Sequence, residues 1–347
     1  MNKSIKLLGV ITLVIVGLGI AACDNENSPT DGNGNSNGNS PTDGNGNSNG
    51  VVTWTPINNH TFGNDIIRSI TWGNDKFVAV GNNGKMAYSN DGISWTAVVN
   101  STFEFNDIYC VSWGNDKFVA GGVGARMAYS DDGINWLAVA NSTFDHGFTR
   151  HFISDIVWGN DKFVAVGSGR CIAYSNDGIN WISTSSSWRV TDTNDINQNT
   201  ISSISWGNGR FVAVGGVGNI IHSIDGITWH MTNSHSLQSG SRDIAWGNNM
   251  FVITSSNNNI EYSSDGISWT VINFSLNPFL YRITWGDGMF LGMGSQMAYS
   301  SNGITWNTRR HNLYDILNTP LGVVWGKDKF ITVGRGGMAY WSGNFAQ

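Results

Sequence analysis

Short segments of alternating apolar and polar residues, separated by turn residues, fill the chain from residue 51 onwards. Residues 66–99 contain four of them, IRSITW, KFVAVG, KMAYS and ISWTAV. Alternation over four to eight residues is typical of β-strands, and the Gly-Asn-Asp sequence between the first two suits a hairpin turn with positive φ. No segment of residues 51–347 keeps a helical period. The pattern therefore predicts a fold made of strands.

One unit occurs seven times along this region. A Trp-Gly pair followed closely by Phe recurs at intervals of 39 to 48 residues, with its tryptophan at Trp72, Trp113, Trp158, Trp206, Trp246, Trp285 and Trp325. Repeats of about 40 residues with four strands each indicate a β-propeller. We predict an all-β fold for residues 51–347, a seven-bladed β-propeller with four-stranded blades.

The seventh unit predicts how the ring closes. It ends in GMAYWSGNFAQ and lacks a fourth strand, whereas residues 51–57, VVTWTPI, match the fourth strand of the other units. We expect this N-terminal strand to complete the last blade, which removes an exposed sheet edge.

The turn before the fourth strand has a recurring sequence. These SxDG turns lie at 89–95, 130–136, 175–181, 223–229, 263–269 and 300–306, and the last carries Asn302 in place of Asp. They resemble the Asp-box, or BNR repeat, of sialidase-like propellers, with one residue fewer between Asp and Trp. The resemblance covers residues 51–347 and implies kinship of fold. Because one carboxylate per turn is too few ligands for calcium, we expect the turns to be structural.

The N-terminal residues predict an export signal, a membrane anchor and a flexible linker. An apolar run at 7–22 ends in IAAC at 20–23, which resembles the lipobox of bacterial lipoproteins. The resemblance implies a signal peptide at 1–22 and an acylated Cys23 that anchors an exported protein to a bacterial membrane, on the periplasmic side or the cell surface. An ordinary signal peptide that happens to end in Cys is the alternative. Residues 23–50 form a linker of Gly, Asn, Ser and Asp, which we expect to be flexible.

Charge and cysteine content narrow the possible partners. The 347 residues include 19 Lys+Arg and 25 Asp+Glu, a net charge of −6, which gives no basic footprint for nucleic acid. Cys110 and Cys171 belong to different blades, too far apart for a disulfide, so we expect both to be free and buried. We expect a monomer.

The loops of the predicted propeller lie on two faces. A uniform face carries the Trp-Gly and SxDG turns, and a variable face carries the links between blades and the loops between second and third strands. Arg68 and most other arginines map to the variable face. The candidate ligand-binding residues are Arg126, Arg150, Arg170, Arg189, Arg242, Arg282, Arg309, Arg310 and Arg335, with Trp188 and His151. Planar guanidinium groups and aromatic rings suit carboxylates, sugars or peptides, although solvated loop ends would give the same pattern.

Catalytic signals are weak. A sialidase-like activity would imply an arginine triad and a Tyr–Glu pair, yet the Arg-Ile-Pro motif is absent and the propeller has only Glu104 and Glu261 as glutamates. Asp155 and Asp243 are a possible carboxylate pair, but we expect them to hydrogen-bond neighbouring loops. We assign no catalytic residue and expect no metal or cofactor.

These features predict a membrane-anchored cell-envelope module that binds a glycan or an envelope protein through its variable face. The alternatives are a sialidase-like glycoside hydrolase with an altered catalytic set and an envelope assembly scaffold.

Overall fold

A computed structural model describes residues 52–144, 151–184, 200–232, 240–272, 279–313 and 319–341. These residues form seven antiparallel four-stranded sheets, which confirms the seven-bladed β-propeller predicted from the repeats. The predicted signal peptide, Cys23 and the linker lie outside the described residues. No helix in the described ranges is both long and apolar enough to cross a bilayer.

Each blade runs from an inner strand, which contacts the inner strands of both neighbouring blades, to an outer strand. The inner strands, from blade one to blade seven, are β2 (Ile67–Gly73), β6 (Ile108–Gly114), β10 (Ile153–Gly159), β14 (Ile201–Gly207), β18 (Ser241–Gly247), β22 (Leu280–Gly286) and β26 (Pro320–Gly326). The second strands are β3 (Lys76–Gly81), β7 (Lys117–Gly122), β11 (Lys162–Gly167), β15 (Arg210–Gly215), β19 (Met250–Ser255), β23 (Met289–Gly294) and β27 (Lys329–Gly334).

The outer half of each blade is shorter. The third strands are β4 (Met86–Ser89), β8 (Met127–Ser130), β12 (Ile172–Ser175), β16 (Ile220–Ser223), β20 (Ile260–Ser263), β24 (Met297–Ser300) and β28 (Gly337–Trp341). The outer strands are β5 (Thr96–Ala97), β9 (Leu137–Ala138), β13 (Ile182–Ser183), β17 (His230–Met231), β21 (Thr270–Ile272), β25 (Asn307–Arg309) and, in blade seven, β1 (Thr55–Ile57). Three short 3-10 turns follow second strands, at Asn82–Gly84, Ser168–Arg170 and Gly216–Gly218.

Blade seven contains both ends of the propeller. β1 pairs antiparallel with β28, with Thr55 opposite Tyr340. Trp54 is completely buried, and its ring centroid lies 6.2 Å from that of Trp341. Trp341 in turn stacks on Phe330 of the second strand, with ring centroids 5.9 Å apart. The N-terminal strand therefore covers the last sheet edge with hydrogen bonds and an apolar side chain.

The glycine of each Trp-Gly pair provides the space for the tryptophan of the next blade. A Cβ placed on Gly73 would lie only 2.0 Å from the Trp113 ring, and one on Gly326 would lie 2.5 Å from the Trp72 ring across the closure. Five further glycines stand in the same relation to the next tryptophan. No residue with a side chain fits at these positions. The Trp-Gly pair therefore recurs in every blade, because each tryptophan packs against the glycine of the preceding blade.

The hydrophobic core lies within and between the blades. Each blade buries one Phe of its second strand completely, and this Phe packs against the Trp of the inner strand, at 4.2 Å between the Trp72 and Phe77 ring centroids. Cys110 and Cys171 are free and buried, which confirms that expectation.

Candidate binding site on the variable face

The uniform face is built from turns whose polar side chains serve the backbone. In the first SxDG turn, Asp91 Oδ1 accepts the amides of Ile93 at 2.8 Å and Ser94 at 2.7 Å. The Ser89 hydroxyl donates to the same oxygen at 2.9 Å and accepts the Gly92 amide at 2.8 Å. These bonds satisfy main-chain donors that the turn leaves without partners.

This hydrogen bonding also sets the ionisation of the turn carboxylates. Burial raises the pKa of Asp91, but the amides of Ile93 and Ser94 outweigh it and hold that pKa at about 2. The same balance holds the pKa at about 2 in Asp132, Asp177, Asp225 and Asp265. The turn carboxylates are therefore ionised and committed to structure at neutral pH.

A second set of bonds on the uniform face joins blades one to five and blade seven to the blade that follows. The Asn after Trp-Gly donates its side-chain amide to a main-chain oxygen in the SxDG turn of the following blade, as from Asn74 to Asp131 at 3.3 Å. The other pairs are Asn115–Asn176, Asn160–Ile224, Asn208–Ser264 and Asn248–Ser301. In blade seven Lys327 takes over, with Nζ 2.8 Å from the Asn90 oxygen of blade one. Blade six precedes the blade without an SxDG turn, and there the position is Asp287.

The two faces carry opposite net charge in the described ranges. On the variable face nine cationic residues outnumber five acidic ones: Arg68, Lys85, Arg126, Arg170, Arg242, Arg282, Arg309, Arg310 and Arg335 against Asp65, Glu104, Asp107, Asp155 and Asp243. On the uniform face eleven acidic residues outnumber six cationic ones: Asp75, Asp91, Asp116, Asp131, Asp132, Asp161, Asp177, Asp225, Asp265, Asp287 and Asp328 against Lys76, Lys117, Lys162, Arg210, Lys327 and Lys329.

Two arginines lie over tyrosine rings at the mouth, by which we mean the ring formed by the variable-face ends of the seven inner strands. The Arg68 guanidinium carbon is 4.6 Å from the Tyr109 ring centroid in the next blade, and that of Arg242 is 4.7 Å from the Tyr281 ring centroid. Arg68 also forms an ion pair with Asp107, at 3.1 Å between Nη2 and Oδ2. Cation–π contact favours the orientation in which each guanidinium group lies over its ring.

Arg282 lies deeper, between blades six and seven. Its side chain is only 2% exposed, with Nε donating to the Leu321 oxygen at 2.7 Å and Nη1 to the Tyr281 oxygen at 2.8 Å. Nη2 has no hydrogen-bond partner among the described residues. Burial lowers the pKa of Arg282 to about 10, against the opposing effect of the Asp243 carboxylate, so the group remains a cation at neutral pH.

Asp155 and Asp243 satisfy main-chain amides on the inner edges of neighbouring blades. Asp155 Oδ2 accepts the Ile204 amide at 2.9 Å, and Asp243 Oδ2 accepts the Ile283 amide at 2.8 Å. The Ser203 hydroxyl oxygen lies between the two carboxyls, 3.1 Å from Asp155 and 2.9 Å from Asp243. Both side chains are buried, so they offer no accessible carboxylate pair for glycoside hydrolysis.

The buried positions of these acids raise their proton affinity. Burial raises the pKa of Asp155 well above its usual value, and the Asp243 charge adds to the shift. Burial raises the pKa of Asp243 to about 6, although Arg282 opposes it. Within the part of the chain that the structure describes, no three His, Cys, Asp or Glu side chains are grouped to hold a metal ion.

Three other predicted residues belong to adjoining loops of blades two and three. Arg126 is exposed, with Nη2 3.5 Å from Glu104 Oε2. The preceding Ala125 donates its amide to the His151 oxygen at 3.1 Å, which ties the two loops together. Arg170 ends a 3-10 turn of blade three with a left-handed φ of 59°.

The remaining predicted residues are dispersed. Arg309 ends β25, and the Arg310 oxygen accepts the Val52 amide at 2.8 Å. The Arg335 amide lies 3.4 Å from the Thr319 oxygen in blade seven. Arg150, Arg189 and Trp188 lie outside the described residues.

Sequence reasoning missed the two tyrosines at the mouth. Arg68, Tyr109, Arg242 and Tyr281 all occupy the second position of an inner strand, and each tyrosine comes one blade after its arginine. Aligning the repeats and comparing this one position between successive blades would have revealed both pairs.

Comparison with known proteins identifies the fold and no family. No protein-family model and no curated protein sequence matches the chain. YCF48 from Cyanidioschyzon merolae is similar in structure, with a TM-score of 0.61 and 16% identity over 83% of this chain and 97% of that one. A structure of YCF48 bound to D1 peptide gives 0.64 and 14%, over 85% and 96%. A catalytically inactive virginiamycin B lyase from Staphylococcus aureus with quinupristin gives 0.68 and 13%, over 81% and 96%. At these identities the likeness shows the seven-bladed propeller fold alone.

Proposed function

We propose that the protein is a binding module of the bacterial cell envelope that holds an anionic group of a protein or glycan partner at its mouth. The observation that carries this proposal is the pair of arginines fixed over tyrosine rings, Arg68 on Tyr109 and Arg242 on Tyr281. A guanidinium held flat loses little further entropy when it forms the two parallel hydrogen bonds that a carboxylate accepts.

Arg242 is the main anchor in this proposal. Arg68 already has Asp107 as an ion-pair partner, whereas Arg242 has no ion-pair partner among the described residues. The excess of cationic residues on the described part of the variable face would attract an anionic partner and raise its association rate.

The N-terminal segment supports the envelope location. An acylated Cys23 would anchor the chain to the bilayer, and the 27 residues of 24–50 would give a root-mean-square reach of about 30 Å. The propeller would thus meet partners near the membrane surface. A protein partner agrees with the fold, since YCF48 of similar structure is known bound to a peptide.

Binding to defined anionic probes tests the proposal. Full-length protein is applied to an array of sialylated and uronic-acid glycans and of synthetic acidic peptides. We expect reproducible binding to one anionic class, weakened at least tenfold by Arg242→Ala.

The matched control is Lys162→Ala, which removes a cation from the uniform face and should leave binding unchanged. A blank array with folded protein, or equal binding by wild type and Arg242→Ala, would contradict the proposal.

A further inference from the structure

We infer that a cleft over blade one, on the variable face, holds an extended peptide segment of the partner. The inference rests on the proposed function and narrows its partner to a protein. The blade-one cleft has a volume of about 330 Å³ and lies between the turn at 83–86, the end of the outer strand at 97–101, Thr61 and Glu104. Thr61 belongs to the link that precedes blade one, and Glu104 belongs to the link that follows it.

The outer wall of the cleft is a strand edge that can accept another strand. The Val98 amide bonds to the Met86 oxygen at 2.9 Å, and Thr96 pairs with Tyr88, so these residues face the neighbouring strand. In antiparallel pairing the intervening residues point their N–H and C=O groups the other way, which directs those of Ala97 and Val99 outwards. An extended peptide can pair with such an edge through its main chain.

Two exposed apolar residues occur at the cleft and next to it in sequence. Val99 lines the cleft and is fully exposed, and Phe105, which follows the lining residue Glu104, is 86% exposed. The preceding link has Asn64 where this link has Phe105. Exposed aromatic and aliphatic groups beside a cleft are typical of a surface that a partner covers. We therefore expect the peptide to place an apolar side chain between Val99 and Phe105.

Glu104 keeps a backbone conformation that favours glycine. Its φ is 58°, and the corresponding residue of the preceding link is Gly63, with a φ of 63°. A left-handed residue with a side chain carries a cost that glycine avoids. The Glu104 side chain is 70% exposed and only loosely paired with Arg126, at 3.5 Å. An exposed carboxylate held at such a position fits a role in binding, where it would meet a cationic group or main-chain amide of the peptide.

The inner end of the cleft leads to the mouth. The Asn83 amide donates to Asp107 Oδ1 at 3.0 Å, and Asp107 Oδ2 pairs with Arg68, which lies over Tyr109. A peptide that leaves the strand edge and crosses the turn at 83–86 would bring an anionic group towards Arg68 while its apolar side chain stays in the cleft.

The repeat itself provides the test variant. Replacing Glu104→Gly together with Phe105→Asn copies the Gly63–Asn64 pair of the preceding link, so the backbone keeps a conformation that the protein already uses. We expect an unchanged or higher melting temperature for this double variant.

The probe is a random twelve-residue peptide library displayed on phage and panned on full-length protein. Enriched peptides are synthesised, and their Kd is measured by fluorescence anisotropy. We expect the double variant to bind them at least tenfold more weakly than wild type. Methylation of a single peptide amide at the strand edge should also weaken binding at least tenfold.

The outcomes separate this inference from the proposed function. If panning enriches no peptide, or enriched peptides bind the double variant within threefold of wild type, the inference is overturned. Loss of binding in Arg242→Ala with full binding in the double variant overturns the cleft and supports the mouth. The reverse pattern supports the cleft and contradicts the mouth.

Discussion

The uniform and variable faces are built from the same seven repeats, yet they use polar residues differently. On the uniform face, the SxDG carboxylates accept amides of their own turns, and side-chain amides such as that of Asn74 reach the next blade. On the variable face, Arg68 and Arg242 lie over tyrosine rings, and within the described ranges cationic residues outnumber acidic ones. Charge alone therefore does not mark a binding surface. Among the described residues the uniform face has more charged groups than the variable face, but its turn carboxylates have main-chain partners.

The same reasoning explains which repeats depart from the common sequence. Asp287 stands where blades one to five have Asn, and the blade that follows it has no SxDG turn to receive a bond. Glu104 and Phe105 replace a Gly–Asn pair without any such structural reason. The change to Asp287 has a structural explanation, because the bonding partner is missing from the next blade. The change to Glu104 and Phe105 leaves exposed side chains, and a binding role would explain it.

The largest expected effect is on ring closure. Deletion of residues 51–57 removes β1 and the buried Trp54, and loss of a buried Trp side chain alone costs about 3–5 kcal/mol. We expect thermal unfolding followed by circular dichroism to show a sharply lower melting temperature. An unchanged melting curve would mean that β1 does not close the ring.

The glycine positions on the uniform side come next. Gly207→Ala would place a Cβ 2.1 Å from the Trp246 ring, and we expect a loss of about 3 kcal/mol in urea unfolding. Gly209→Ala is the matched control, because its Cβ meets nothing within 4 Å and only its φ of +68° is unfavourable. The control should lose about 1 kcal/mol. Equal losses in both variants would contradict the explanation that Gly207 provides the space for the Trp246 ring.

The buried carboxyl of Asp243 makes the protein less stable as the pH rises from about 4 to about 7. Its pKa is about 6 in the folded protein against 3.8 for the usual value, so the folded state binds its proton more tightly. That contribution is fully present below pH 3.8 and is lost as the pH rises through 6, to a limit of about 3 kcal/mol. We expect Asp243→Asn to flatten the fall in unfolding free energy between pH 4 and about 7. The same slope in both proteins would contradict this ionisation.

The SxDG carboxylates should show the opposite sign. The pKa of Asp177 is about 2 in the folded protein, below the usual 3.8, so its contribution is present above pH 3.8 and is lost as the pH falls through 2. Asp177→Asn copies Asn302, whose oxygen accepts the Ile304 amide at 2.9 Å. We expect the unfolding free energy of Asp177→Asn to be nearly unchanged at neutral pH. On acidification it should fall by about 1 kcal/mol less than that of the wild type. The same fall in unfolding free energy with decreasing pH in both proteins would contradict the low pKa of Asp177.

The smallest effect on stability is expected at the mouth. Arg242→Ala removes one cation–π contact with Tyr281 and should cost less than about 1 kcal/mol in urea unfolding. A larger loss would assign Arg242 a structural role like that of the turn residues and would weaken the contrast between the faces.

Periodicity predicted the fold because each repeat buries the same positions. Trp-Gly spacing, the SxDG turns and the unpaired last unit were sufficient for blade number and strand order. The mouth was harder, because it depends on contacts between residues about 40 positions apart in successive blades. Tyr109 meets Arg68 only once the ring places blade two beside blade one, and Arg282 is buried because the Leu321 oxygen of the next blade accepts its Nε. Asp155 and Asp243 were expected to bond to neighbouring loops, and the structure instead pairs them with amides of neighbouring inner strands.

Hydrogen exchange on full-length protein, with and without the strongest anionic probe from the array, tests the central claim most directly. The account predicts slower exchange in the inner-strand segments 66–69, 107–110, 241–243 and 280–283, and no change in the SxDG turns. Slower exchange confined to the SxDG turns would place binding on the uniform face and contradict the account.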